Sequence, residues 1–314
     1  MLFVWILVFI FSLALLVKSA DWLIESGEKI GLALKIPPFI IGVTIIAIGT
    51  SLPELASSLV AVIKGQTELV VANVIGSNIA NILLIVGISS LFAKSLIVKR
   101  DLIDLDSPLL IAVTGIFLFV VWDKEVVLAE GILLIAAFTV YLLYTIFQKR
   151  NKIKTPKPDF EKKGKQIDKK VFVFLVLGIV GLLVAANYTI DSMIKIAEIF
   201  KIPSSLIAVT ALAIGTSLPE LVVSVKAAFK KRCEIALGNI FGSNIFNILL
   251  VVGIPSLIKP LIVEELIFVV GIPFLVLATL IFVISGISKK IHFWEGLMYV
   301  LIYILFILNI CGVV

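Results

Sequence analysis

Ala47-Ile48-Gly49-Thr50-Ser51-Leu52-Pro53-Glu54-Leu55 returns, residue for residue, 166 positions later as Ala213-Ile214-Gly215-Thr216-Ser217-Leu218-Pro219-Glu220-Leu221. Each copy lies within an apolar stretch long enough to span a bilayer. Each brings a helix-breaking Gly and Pro, two hydroxyls and one carboxylate. A carboxylate in hydrocarbon costs several kcal/mol, so its recurrence at equivalent places in two halves of one chain points to a function. Broken helices carrying polar groups in matched halves are the pattern expected where an ion site lies between repeats at midmembrane.

The repeat extends beyond these nine residues. At the same offset, Asn73-Val74-Ile75-Gly76-Ser77-Asn78-Ile79-Ala80-Asn81-Ile82 answers Asn239-Ile240-Phe241-Gly242-Ser243-Asn244-Ile245-Phe246-Asn247-Ile248, and Ile36-Pro37 answers Ile202-Pro203. The apolar runs predict an all-α polytopic membrane protein of ten transmembrane helices, near 2–18, 37–62, 69–92, 107–122, 126–147, 171–190, 204–227, 235–257, 265–285 and 293–312. The acid-bearing stretches 19–36 and 191–201 extend the first and sixth helices toward the surface. Residues 1–147 form a first five-helix repeat and 171–314 a second. Five is odd, so the halves are expected to be inverted relative to each other, with helices 2 and 7 broken. The segment 148–170 is a solvated basic linker with ten Lys and Arg, suited to anionic headgroups.

Loops after odd-numbered spans hold 22 of the 27 Lys and Arg, and the others hold 5. The positive-inside rule then puts the 148–170 linker in the cytoplasm and both termini outside a cell membrane. Hydrophobic residues make up 61% of the chain and charged ones 15%, with mean hydropathy +1.21. Soluble enzymes, nucleic-acid binders and secreted scaffolds are excluded by that balance. Cys233 and Cys311 imply no disulfide framework. His292, the one histidine, falls at a helix end. Asp21, Glu25, Asp191 and Glu198 read as interfacial. Asp101, Asp104 and Asp106 read as a solvated helix start.

The chemistry concentrates in four spans. Pro53 lacks an N–H and its ring clashes with the Gly49 carbonyl, so the helix should bend and free carbonyls between Ala47 and Gly49. In lipid, such carbonyls need a partner, and a cation is one. Thr50, Ser51 and Glu54 add oxygens within one turn, and Thr216, Ser217 and Glu220 do the same around Pro219. Ser77 and Asn81 share one helix face, as do Ser243 and Asn247. Every candidate ligand is a hard oxygen, which suits Ca²⁺ or Na⁺ rather than Zn²⁺ or Cu⁺. Two carboxylates balance one divalent ion and several Na⁺ only in part, the setting for an exchanger. A cation channel is the alternative from another class. No Ser–His, Ser–Lys or two-Asp arrangement supports an intramembrane hydrolase.

These two motifs, each present twice, resemble the alpha-repeats of the sodium/calcium exchanger family, within the cation/Ca²⁺ antiporter superfamily, and the likeness runs over essentially the whole chain. The resemblance implies secondary active antiport of Na⁺ against Ca²⁺ by alternating access. Glu54 and Glu220 are then the central ligands. Thr50, Ser51, Thr216, Ser217, Ser77, Ser243 and Asn81 complete the sites, with the carbonyls of Ala47 and Ala213. It also implies that helices 1 and 6 slide as a unit against the rest. Asn247 stands where members of the family often have Asp, so this site holds two carboxylates rather than three. Ca²⁺/H⁺ exchange, or antiport of another divalent cation, is the alternative within the superfamily. The expected partners are the transported ions and membrane lipid, with no cofactor, nucleic acid or obligate protein partner.

Overall fold

Apolar runs of this length leave the backbone no water to bond with, and helices satisfy every N–H and C=O internally. The computed structural model describes residues 2–34, 36–97, 106–151, 168–200 and 215–312. Within them run α1 (Leu2–Ala33), α2 (Pro38–Ile63), α3 (Glu68–Ala93), α4 (Asp106–Val120) and α5 (Leu128–Asn151). There follow α6 (Lys169–Ile199), α7 (Leu218–Phe229), α8 (Cys233–Ser256), α9 (Ile267–Ile287) and α10 (Phe293–Ile310). Eight of these are long and apolar enough to cross a membrane; α4 and α7 are shorter, and α7 follows directly on residues outside the described set. The acid-bearing extensions are helical: α1 continues unbroken to Ala33 and α6 to Ile199. Ile202-Pro203, Asp101, Asp104, Ala213 and most of the basic linker lie outside the described residues.

Helical order stops at Ser51 (φ −90°, ψ 5°) and restarts at Leu52; Ser217 has nearly the same backbone (φ −82°, ψ 4°) ahead of Leu218. Pro53 and Pro219 therefore occupy the second position of a new helical segment, where a missing N–H costs nothing. A second irregularity was not foreseen. α2, α3 and α8 each contain a widened turn of π type, at Gly42–Ile46, Ala80–Ile85 and Asn247–Val251. The last two carry Asn81 and Asn247, and such bulges re-aim side chains at functional sites.

The core is built of α2, α3 and α8. In its most apolar 18-residue window α8 is 94% buried, against 17% for α1 and 22% for α6. Glycines bring α8 onto α2. A Cβ on Gly42 would lie 2.6 Å from the Ile235 carbonyl oxygen, and Cβ atoms on Gly238 and Gly242 would collide with the Phe39 and Val43 carbonyls. Close backbone approach through small residues is the usual packing device in lipid. α1 and α6 pack chiefly against each other. Ser12 accepts from Thr189 at 2.9 Å, and Gly178 lets α6 approach the Leu23 backbone.

At one end of the molecule, Asp21, Glu25 and Glu28 of α1 face the end of α7. Lys230 reaches Asp21 at 2.6 Å and Glu25 at 3.2 Å, Lys226 reaches Asp21 at 3.3 Å, and Arg232 reaches Glu28 at 2.7 Å. Asp21 and Glu25, read as interfacial from sequence, thus belong to an ionic ladder between two elements. Lys230 lies beyond the end of α7; burial lowers its affinity for a proton, but bonds to Asp21 and Glu25 outweigh this and raise its pKa above the ordinary lysine value. Short antiparallel pairs tie loops together. β1 (Ser95–Ile97) pairs with β4 (Lys290–His292), and β2 (Glu125–Val126) with β3 (Leu261–Ile262).

Candidate ion-binding site

The break in α2 puts Glu54 at the third position of a restarting helix, and Glu220 holds the third position of α7. There the positive end of the backbone dipole favours a negative charge. Glu54, Glu220, Thr50, Ser51, Ser243, Asn81 and Asn247 are essentially without exposure, Ser77 and Ser217 are buried, and Thr216 is half-buried.

Hydrogen bonds tie several of these residues together in small groups, each joining different helices. Ser51 Oγ donates to Glu220 Oε1 at 2.8 Å, and Ser243 Oγ reaches the same oxygen at 3.5 Å. Thr50 Oγ1 lies 3.5 Å from Ser243 Oγ, and Ser77 Oγ lies 3.3 Å from Thr216 Oγ1. α3 and α8 are joined by their asparagines. Asn78 Nδ2 donates to the Asn244 carbonyl at 3.2 Å, and Asn247 Nδ2 to Asn78 Oδ1 at 3.1 Å. α2 thus meets α7 and α8, and α3 meets α7 and α8.

The Ala47 carbonyl, expected to be freed by the bend, keeps a partner: Ser51 N–H donates to it at 3.0 Å. Its second lone pair remains for another donor or a cation. Pro53 has no N–H, so the Gly49 carbonyl four residues earlier receives no bond from it. Ala213, its counterpart, lies outside the described residues.

Several buried atoms at the centre have no protein partner: both Glu54 oxygens, Glu220 Oε2, Ser217 Oγ, the Asn81 amide, Asn244 Oδ1 and Asn247 Oδ1. Most are oxygens able to accept or coordinate. Leaving one such group unsatisfied costs about 1–3 kcal/mol, more when charged. A hard cation placed among them would satisfy several at once, with two carboxylates to supply the compensating charge. Among the described residues, no group of three or more His, Cys, Asp or Glu could hold a metal ion, so neutral oxygens must supply most ligands.

The two copies differ in one respect. Ser51 bonds Glu220, whereas Ser217 and Glu54 are unpartnered. Two residues that sequence reasoning passed over also belong here. Thr50 Oγ1 donates to Asn239 Oδ1 at 3.1 Å, and Thr216 Oγ1 to Asn73 Oδ1 at 3.1 Å. Their signal was available: each Asn precedes its Ser by four residues and shares that helix face.

The chain matches the family described as sodium/calcium exchanger protein over residues 4–147 and 170–312. It is 32% identical to the sodium/calcium exchanger MaX1 of Methanosarcina acetivorans, an alignment covering 96% of this chain and 97% of that one. It is 35% identical to the inner membrane protein YrbG of Escherichia coli over 80% of this chain and 79% of the other. Among solved structures, the sodium-calcium exchanger NCX_Mj superposes with a TM-score of 0.82 at 30% identity, covering 97% of this chain and 98% of that one. Repeated motifs, a buried two-carboxylate oxygen cluster and likeness along nearly the full length converge: the chain belongs to the sodium/calcium exchanger protein family.

Proposed function

We propose that the protein is a secondary antiporter that exchanges Na⁺ for Ca²⁺ across a membrane, binding both at the Glu54–Glu220 cluster. The observation that carries this reading is the set of buried, unpartnered oxygens around two carboxylates. The relatives agree with it: MaX1 and NCX_Mj are sodium/calcium exchangers. The ligands in this reading are Glu54, Glu220, Thr50, Ser51, Thr216, Ser217, Ser77, Ser243, Asn81 and Asn247, with the carbonyls of Ala47 and Ala213.

The finer architecture is ten spans in two inverted halves, 1–147 and 171–314, joined by a cytoplasmic basic linker, in a cell membrane with both termini outside. The stretches matching the family flank that linker. Loop pairing supports the sidedness pattern. Loops after spans 3 and 9, grouped by positive charge, meet in β1–β4, and those after spans 4 and 8 meet in β2–β3. The peripheral α1–α6 pair is the element that moves to alternate access. Lipid is the only other partner the reading needs. ⁴⁵Ca²⁺ uptake into proteoliposomes, with imposed gradients of Na⁺, H⁺ or K⁺ in turn, tests it: uptake should follow Na⁺. Uptake driven by H⁺ alone would replace it with Ca²⁺/H⁺ exchange.

A further inference from the structure

A threonine hydroxyl carries one proton and two lone pairs. It serves as a cation ligand only when its proton points away from the ion, onto an acceptor. Thr50 has two near acceptors, Asn239 Oδ1 at 3.1 Å and the Ala47 carbonyl at 3.3 Å, with Ser243 Oγ farther off at 3.5 Å. A proton given to Ala47 would occupy the carbonyl that the ion reading needs. A proton given to Asn239 leaves both oxygens open toward the cluster. The amide of Asn239 is itself fixed, because its Nδ2 donates to Ser224 Oγ at 3.0 Å, which turns Oδ1 toward Thr50. Asn239 is fully buried. The Thr–Asn bond itself recurs at the repeat-related position, where Thr216 donates to Asn73 Oδ1 at 3.1 Å, although Asn73 is only half-buried and Ser58, the counterpart of Ser224, meets no partner. One Thr–Asn bond kept in both halves, 166 residues apart and among different neighbours, argues for a shared purpose rather than incidental interhelical bonding.

We infer that Asn73 and Asn239 are positioning residues: each takes the proton of the threonine hydroxyl across from it, on Thr216 and Thr50, and so turns the hydroxyl lone pairs toward the transported cation. The inference rests on the assignment of these threonines as ion ligands. Neither asparagine touches the ion; each acts through its threonine.

A double-mutant cycle tests it. Asn239→Leu, Thr50→Val and the double variant are reconstituted, and the half-saturating Na⁺ concentration and maximal rate of ⁴⁵Ca²⁺ exchange are measured separately. Each single variant should raise half-saturation about threefold to tenfold, the worth of one hydrogen bond. The double variant should be no worse than Thr50→Val alone, since Asn239 has nothing left to orient. A merely structural role would lower the maximal rate and multiply with Thr50→Val, and that outcome overturns the positioning role while leaving the ligands in place. If Thr50→Val leaves Na⁺ dependence unchanged, the ligand assignment of Thr50 fails first and the inference falls with it. Should Asn239→Leu not elute as a monodisperse protein, the cycle of Asn73→Leu with Thr216→Val decides by the same criteria.

Discussion

Replacing Glu54 by Gln should make the ion-free protein harder to unfold while abolishing transport. Both Glu54 oxygens are buried and receive no hydrogen bond, so the folded state carries the cost of a charge with no donor. The amide keeps the volume and removes the charge. The amide meets no partner there either, so the gain in Na⁺- and Ca²⁺-free buffer comes from the lost charge alone and should not exceed about 1–3 kcal/mol. Glu220→Gln should gain less, because Ser51 already donates to Glu220 Oε1 at 2.8 Å. With Ca²⁺ present wild type makes up the difference. Ligand at a hundredfold its dissociation constant stabilises wild type by about 2.7 kcal/mol through mass action. Losing one charged partner of a buried ionic interaction costs about 3–5 kcal/mol, a hundredfold to a few thousandfold in affinity, so the variant should show no Ca²⁺-dependent rise. Thermal unfolding in detergent with and without Ca²⁺, paired with Na⁺-driven ⁴⁵Ca²⁺ flux, reads both effects. Full flux in Glu54→Gln, or destabilisation in ion-free buffer, would refute the reasoning.

Three further outcomes are expected. Asn247→Asp replaces an amide that donates to Asn78 Oδ1 with a third carboxylate, which must release a proton before a cation binds; flux should fall more steeply toward about pH 6 than in wild type, and matching pH profiles would put residue 247 outside the coordination shell. Gly242→Ala places a Cβ against the Val43 carbonyl and 2.5 Å from the Ala47 Cβ, so melting should drop by about 1–3 kcal/mol of stability. Gly286→Ala, whose nearest neighbour is Ser107 Oγ at 3.5 Å, should be tolerated in the same assay. Single cysteines within 150–168 should react with impermeant reagents only from the cytoplasmic side and cysteines at the termini only from outside; the reverse pattern would overturn the charge argument.

The reason Glu54 and Glu220 could be picked out beforehand is energetic: a carboxylate in an apolar run needs a compensating role wherever it lies. Pro53 and Pro219 marked the helix breaks for an equally local reason, the missing N–H. The widened turns at Ala80–Ile85 and Asn247–Val251 carry no such mark. Asn81-Ile82-Leu83-Leu84 reads as ordinary helix, and nothing in its residue types sets it apart. The ladder of Asp21, Glu25 and Glu28 was invisible because its cations lie some two hundred residues away in sequence. Nor could a duplicated motif announce that Ser51 would bond Glu220 while Ser217 left Glu54 alone. Identical residues in two copies meet different neighbours.

The glycine contact between α2 and α8 bears on how such a chain can be taken apart. Gly42 belongs to one half of the sequence and Gly238 and Gly242 to the other, yet their backbones lie against each other at the centre. Residues 1–147 produced alone would present Glu54 and the Phe39 and Val43 carbonyls to lipid with nothing to cover them, and a membrane quality-control protease should remove them. The two pieces made in one cell, cut within the basic segment, have every surface needed to reassociate and should recover Ca²⁺ flux without the covalent link. A half-length precursor of this fold would for the same reason have had to pair with a second copy of itself before it could hold an ion.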